Sequence, residues 1–311
     1  MEKVMHKNRH ITYRLKKVWN CRMLYLMLAP VIAYYIIFKY IPMYGVILAF
    51  KDYNIFKGPF ASPWCGFEVF QKIFASDNFW RSIKNTLVLN FATLIAYFPM
   101  TIIISLMLNE VSYASVKKTA QSILYLPHFL SWVVVAGIAT NMFTQQGGTV
   151  NQLLKALGFQ PVPFLSDNGW WIFTYVICNV WKEVGWGTII YLAALSGVDE
   201  TLYEAAYLDG ATKFQRLIYI TLPSIKSVMV VMLILQLSKM MSIGLDAPLL
   251  LGNDKVMPVS QVISTYVYRL GIENAKYSEA TAIGLFQSVV NVIILLTADK
   301  FVKAIGEEGI I

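Results

Sequence analysis

Apolar residues run along the chain in six blocks, each long enough to supply the roughly 20 helical residues that a bilayer core requires. The blocks cover 23–45, 85–108, 119–142, 170–194, 225–245 and 278–299, with polar segments between them. Pro30, Pro42, Pro99 and Pro127 fall inside or at the ends of the blocks. Membrane helices tolerate proline where neighbouring helices satisfy the freed backbone groups. The pattern predicts an all-α integral membrane protein with six transmembrane helices. In the polar segment 143–169, Gly147-Gly148 and Pro161-x-Pro163 flank a stretch, 150–157, that reads as a short surface helix.

Six spans put both termini on one side, and the basic residues say which. Segments 1–22, 109–118, 195–226 and 300–311 hold 14 Lys and Arg in 76 residues, against 9 in 99 for segments 46–84, 143–169 and 244–276. The first set is therefore expected to be cytoplasmic. Trp64, Trp80, Trp170 and Trp171 fall near the outer span ends, as an aromatic belt should. The chain divides into a basic N-terminal segment 1–22, a membrane domain 23–299 containing a cytoplasmic loop 199–223, and a tail 300–311.

Composition agrees. Of the 311 residues, 57% are hydrophobic and 14% charged, against roughly 45–50% and 25% in soluble domains, so the excess apolar surface must face lipid. A net charge of +8 raises nucleic acid as a partner. Lys3, Lys7, Arg9, Arg14, Lys16, Lys17 and Arg22, however, directly precede the first apolar block. That placement is a cytoplasmic membrane anchor, and no nucleic-acid partner is expected. Cys21, Cys65 and Cys178 lie in a basic tail, a loop and a span, which excludes a disulfide framework. His6, His10 and His128 are too scattered for a metal site. There is no Gly-x-x-x-x-Gly-Lys-Ser/Thr loop, so this chain is expected to bind no nucleotide and no other cofactor.

The loop before the fifth block has its own local logic. Asp199 can cap a first helix, with Glu200 near its positive end. Gly210 supplies the left-handed residue that closes this helix, and Thr212-x-x-Gln215 is a capping box that opens a second. Pro223 is expected to stop the second helix before the next span. Ala205 and Ala206 leave a small-residue face open to close approach. An ordinary interfacial amphipathic helix is the simpler reading of such a loop.

The residue pattern points further. Glu204-Ala205-Ala206, three residues ending in Asp209, Gly210, nine residues, Ile220, one residue and Leu222-Pro223 resemble the signature loop of binding-protein-dependent ABC importer permeases. Phe38-Lys-Tyr-Ile-Pro42, Leu126-Pro-His-Phe129 and Trp181-Lys-Glu-Val-Gly-Trp-Gly187 look like the oligosaccharide branch of the carbohydrate importers, similar to maltose-type permeases. The resemblance implies a type I ABC importer permease fold in a bacterial plasma membrane. It also implies a second homologous permease, two ATPase subunits holding ATP and Mg, and an extracytoplasmic solute-binding protein that delivers an oligosaccharide. Glu204 would then be the anionic contact with the ATPase and Gly210 the sharp bend.

Ionisable side chains within spans are costly and rarely face lipid. Asn179, Lys182, Glu183 and Trp186 share a helical face of span four, Gln236 and Lys239 one of span five, and Gln287 and Asn291 one of span six. These faces are expected to converge on the translocation path, with Trp181 or Trp186 stacking on a sugar ring. Lys182 and Lys239 would suit an acidic oligosaccharide. For Glu183, pairing with a neighbouring helix is an equal alternative. The rival function is a stand-alone ion-coupled secondary transporter, whose intramembrane charges would form a relay. No inverted repeat supports it. No Ser/His/Asp arrangement or carboxylate pair points to an enzyme.

Overall fold

The computed structural model describes residues 21–304 and 306. The basic residues Lys3, Lys7, Arg9, Arg14, Lys16 and Lys17 and the last five residues lie outside them. Among the described residues the architecture is helical, with one isolated bridge between Lys51 and Trp64. Helix α1 is the run Arg22–Phe50, α2 is Asp77–Glu110, α3 is Ala114–Tyr125 and α4 is Trp132–Phe143. Then come α5, Thr149–Ala156, α6, Asn168–Leu195, and α7, Glu200–Leu208. Helices α8, Lys226–Leu237, and α9, Tyr277–Ala304, complete the set. The short helix α5 is the surface helix anticipated between the double glycine and the prolines.

Helices α1, α2 and α9 are long and apolar enough to cross a membrane, and two bent pairs bring the number to five if each pair is one span. Helix α6 is 28 residues long but is not among them. Its polar residues are tolerated because neighbours cover it. Trp171, Tyr175, Cys178, Lys182 and Tyr191 are all buried against other elements. Gly185 makes part of this possible: a Cβ there would overlap the backbone carbonyl of Leu124 in α3. Helix α1 is the opposite case. None of its apolar window is buried within the chain, so lipid or another protein must cover it.

Three packed clusters order the bundle along its length. Ala49, Phe79, Ile263 and Ile283 gather where α2 and α9 begin. Val135, Trp171, Tyr175 and Val256 join α4 to α6. Ile102, Tyr191, Leu195 and Ile225 close the end where α6 leads into α7.

Several expectations are corrected. Span three is not one straight helix: Ala114–Phe129 and Trp132–Phe143 meet at 101°. Pro127 lies in the 3₁₀ turn Leu126–Phe129, and Ser131 starts a new helix by accepting from the Val134 amide at 3.4 Å. Span five is bent by 61° at Ile225 and ends at Leu237. Pro223 does not stop its helix. It occupies the first turn of Leu222–Ser224, where its missing N–H is not needed, just after a π turn. Trp171 is not an interfacial belt residue. It is fully buried and donates its indole N–H to the Leu251 carbonyl at 2.9 Å. Segment 244–276 is also more than a loop, because Asp246–Leu251, Met257–Ser260 and Ile263–Tyr268 are helical and pack into the core.

Candidate functional site

The loop 199–223 folds as its residues dictate. The Asp199 carboxylate accepts from the Thr201 amide at 2.9 Å and caps α7. That amide, and then the Thr201 hydroxyl, hold the Asp199 carboxyl below the usual carboxylate range. At the other end Gly210 has φ +76°. Gly210 N–H bonds to the Tyr207 carbonyl and Ala211 N–H to that of Ala206, at 3.1 and 2.9 Å. This paired closure is the Schellman motif. The capping box forms: the Thr212 amide donates to Gln215 Oε1 at 2.7 Å, and the Gln215 amide to the Thr212 hydroxyl at 3.3 Å.

The element is therefore rigid in itself and fastened to the bundle, since the Tyr203 and Thr221 hydroxyls lie 2.9 Å apart. Its outer face is open. Glu204, Ala205 and Asp209 are exposed, as are Tyr207, Leu208 and Phe214, with Leu208 86% exposed. Tyr203, Glu204, Tyr207, Leu208 and Arg216 line a cavity of about 470 Å³. The Arg216 guanidinium sits 5.9 Å from the Tyr207 ring centre, and its Nε is buried without an acceptor. The face thus offers a carboxylate, a spare cationic donor and apolar side chains. Leu222 and Pro223 lie behind it, at the approach to the bend at Ile225.

At the middle of α6 the structure assembles a hub that the sequence reading only half anticipates. Lys182 is 6% exposed, donates to the His128 carbonyl at 2.6 Å and lies 3.4 Å from a Glu183 oxygen. The other Glu183 oxygen is 2.8 Å from His128 Nδ1. The His128 ring stacks on Trp186 with centroids 4.4 Å apart and planes 5° from parallel. Lys182 and Glu183 thus fasten α6 to the break between α3 and α4. His128 was missed as a site residue, although Leu126-Pro-His-Phe129 interrupts an apolar block and marks the place.

The remaining candidates divide. Trp181 lines an apolar cavity of about 200 Å³ between α4 and α6. Asn179 donates to the Tyr175 carbonyl of its own helix at 2.9 Å. Lys239 does not lie on a helix with Gln236; it is exposed in the turn that follows α8. Gln287 Nε2 donates to the Met241 carbonyl at 2.7 Å, while Asn291 Oδ1 accepts from the Met241 amide at 3.2 Å. Asn90 of α2, which the sequence reading passed over, donates to the Met240 carbonyl at 2.7 Å. Three side-chain amides from two helices therefore satisfy the non-helical backbone that follows α8, the condition under which such a break can persist inside a membrane. Among the described residues no three His, Cys, Asp or Glu side chains come together to hold a metal ion.

Residues 73–306 match the family described as binding-protein-dependent transport system inner membrane component. Protein LplB of Bacillus subtilis (strain 168) is 42% identical over 287 residues, 92% of this chain and 90% of that protein. The polygalacturonan/rhamnogalacturonan transport system permease protein YteP of the same organism is 41% identical over 294 residues, 94% and 92% of the two chains. Among solved structures, a bacterial alginate ABC transporter in complex with alginate pentasaccharide-bound periplasmic protein contains a chain 39% identical to this one. The TM-score is 0.86, over 95% of this chain and 99% of that one.

Proposed function

Because the chain belongs to the family of binding-protein-dependent transport system inner membrane components, we propose that it forms one half of an import path for a uronic-acid-containing oligosaccharide. It is a sugar permease of the ABC class in the bacterial plasma membrane, a transport subunit and not a catalyst. A separate pair of ATPase subunits, holding ATP and Mg, drives it, and an extracytoplasmic binding protein delivers the sugar. A second permease completes the path and covers part of α1.

On this reading each bent pair is one span and α6 is the sixth, with both termini cytoplasmic. It divides the chain into a basic segment 1–22, a membrane domain 23–299 and a tail 300–311. The ion-coupled alternative has no support in the family match.

The observation that carries the proposal is α7 itself. A nine-residue helix closed at both ends by its own residues presents Glu204, Tyr207 and Leu208 outward. A helix whose apolar residues face away from its own bundle needs a partner surface. Rotation of an ATPase bound there is transmitted through Tyr203–Thr221 and the bend at Ile225 to α8 and α6.

Uronic acid is supported by the relatives, since alginate and polygalacturonan are both polymers of uronic acids. It is also supported by Lys239, an exposed cation on the amide-held turn. Asn179, Trp181, Glu183, Trp186 and Gln236 remain candidates for the path. Lys182, Gln287 and Asn291 shape it through the contacts described above. Co-purification tests the coupling. Wild-type chain should bring down its ATPase, and Glu204→Lys or Gly210→Val should lose it; retention by both variants would overturn the assignment of α7.

A further inference from the structure

The end of the bundle opposite α7 carries a second cavity of about 470 Å³, within the roughly 300–1,000 Å³ range of small-ligand sites. It lies where α2 and α9 begin, and on the topology proposed above it opens to the extracytoplasmic side. Lys72, Arg269 and Lys276 line it, with Glu279 as the one carboxylate. Glu279 pairs with Lys276 at 3.6 Å. Among the described residues neither Lys72 nor Arg269 is paired with a carboxylate. Arg269 opens a π turn, Arg269–Glu273, and its Nη1 reaches only the Met257 sulfur, at 3.4 Å.

Gln261 adds a second and independent feature. It lines the same cavity, is 5% exposed, and its Oε1 is buried with no hydrogen-bond donor. Buried polar atoms are almost always paired, so this acceptor at the cavity wall calls for a donor, from an ordered water or from a bound molecule. Tyr266, whose hydroxyl lies 3.3 Å from that of Ser76, supplies a ring and a hydroxyl at the wall.

We propose that this cavity is a receiving subsite for one uronosyl unit of the incoming oligosaccharide, separate from the path residues around Lys239. Lys72 and Arg269 would take the carboxylate, and Gln261 Oε1 a ring hydroxyl. Chloride or sulfate fills the first demand but brings no donor for the second. A neutral sugar fills the second and leaves two cations unanswered. The assignment rests on the importer reading above.

The test uses the complete importer in proteoliposomes, with both permeases, the ATPases and the binding protein, and a galacturonate tetrasaccharide as probe. At saturating loaded binding protein, Arg269→Gln and Lys72→Gln should each slow uptake about tenfold, the scale of one lost charge-assisted hydrogen bond. Arg269→Lys should restore most of it. Basal ATP hydrolysis and the affinity of the ligand-free binding protein should be unchanged. Lys72 is exposed, so its variant reports even where Arg269→Gln fails to assemble. Uptake equal to wild type in either assembled Gln variant overturns the proposal. So does a matching loss of affinity for the ligand-free binding protein, which would assign the cations to a protein carboxylate. A wild-type importer that carries no tetrasaccharide overturns the importer's substrate reading together with this one.

Discussion

Lys182→Met keeps the length of the side chain and removes the buried ammonium. Three contacts go with it: the 2.6 Å bond to the His128 carbonyl, the 3.4 Å approach to Glu183 and a longer one, 6.0 Å, to the Trp132 ring centre. Leaving that carbonyl without its donor costs about 1–3 kcal/mol. Breaking a fully buried ion pair costs about 3–5 kcal/mol, but Glu183 is only part-buried and keeps His128 at 2.8 Å. The expected loss is therefore about 2–4 kcal/mol of stability, with α6 released from the break between α3 and α4. The assay is denaturant unfolding of the purified complex, run beside uptake of an acidic and a neutral oligosaccharide. Stability should fall and both uptakes should fall together. Unchanged stability with loss of acidic uptake alone would refute the reasoning and make Lys182 a substrate contact. Lys239→Met should do the reverse, since Lys239 is exposed in a turn whose backbone other residues hold.

Gly185→Ala should destabilise the complex by about 1–3 kcal/mol, because the added methyl meets backbone at Leu124 and cannot rotate away. Gly137→Ala, with open space around it, should be neutral or slightly stabilising in the same unfolding experiment. Asn291→Leu removes the acceptor for the Met241 amide, so hydrogen exchange at Met241 should speed up while α9 stays protected. Unchanged protection there would show that the turn is held by other means. The Asp199 carboxyl is held low by the Thr201 amide. Its cap is therefore fully present above the ordinary aspartate range near about 3.9 and is lost as pH falls through the lowered value. Exchange at the Thr201 amide should stay slow to mildly acid pH; fraying at neutral pH would contradict the cap.

What the sequence made legible was local. Asp199, Gly210, Thr212 and Gln215 act on partners within a few positions, so spacing alone predicts α7 and the turn after it. Hydropathy located every apolar block but not the bends. Proline is no guide to these, since Pro30 and Pro99 sit inside unbroken helices while Pro127 sits beside a 101° bend. The difference lies in Ser131, which offers a new start where the old helix ends. Polar residues within spans were read as path-lining, yet Gln287 and Asn291 bond to a turn nearly fifty positions away. Lys182 reaches a carbonyl across the α3–α4 break. A residue's periodicity gives the face it occupies, and only the tertiary fold says whether a backbone break stands opposite. Lys72, Gln261 and Arg269 escaped notice for the same reason, since they come together from separate segments.

The central claim is that this chain moves an acidic oligosaccharide only when an ATPase acts through α7. The direct measurement is uptake of a galacturonate tetrasaccharide into proteoliposomes, by this chain alone and by the full importer with wild-type or Gly210→Val chain. The account predicts ATP-dependent accumulation by the wild-type importer, none by the chain alone, and none by the Gly210→Val importer even with ATP and loaded binding protein present. Accumulation by the chain alone under an ion gradient, or unimpaired ATP-driven uptake with Gly210→Val, would contradict it.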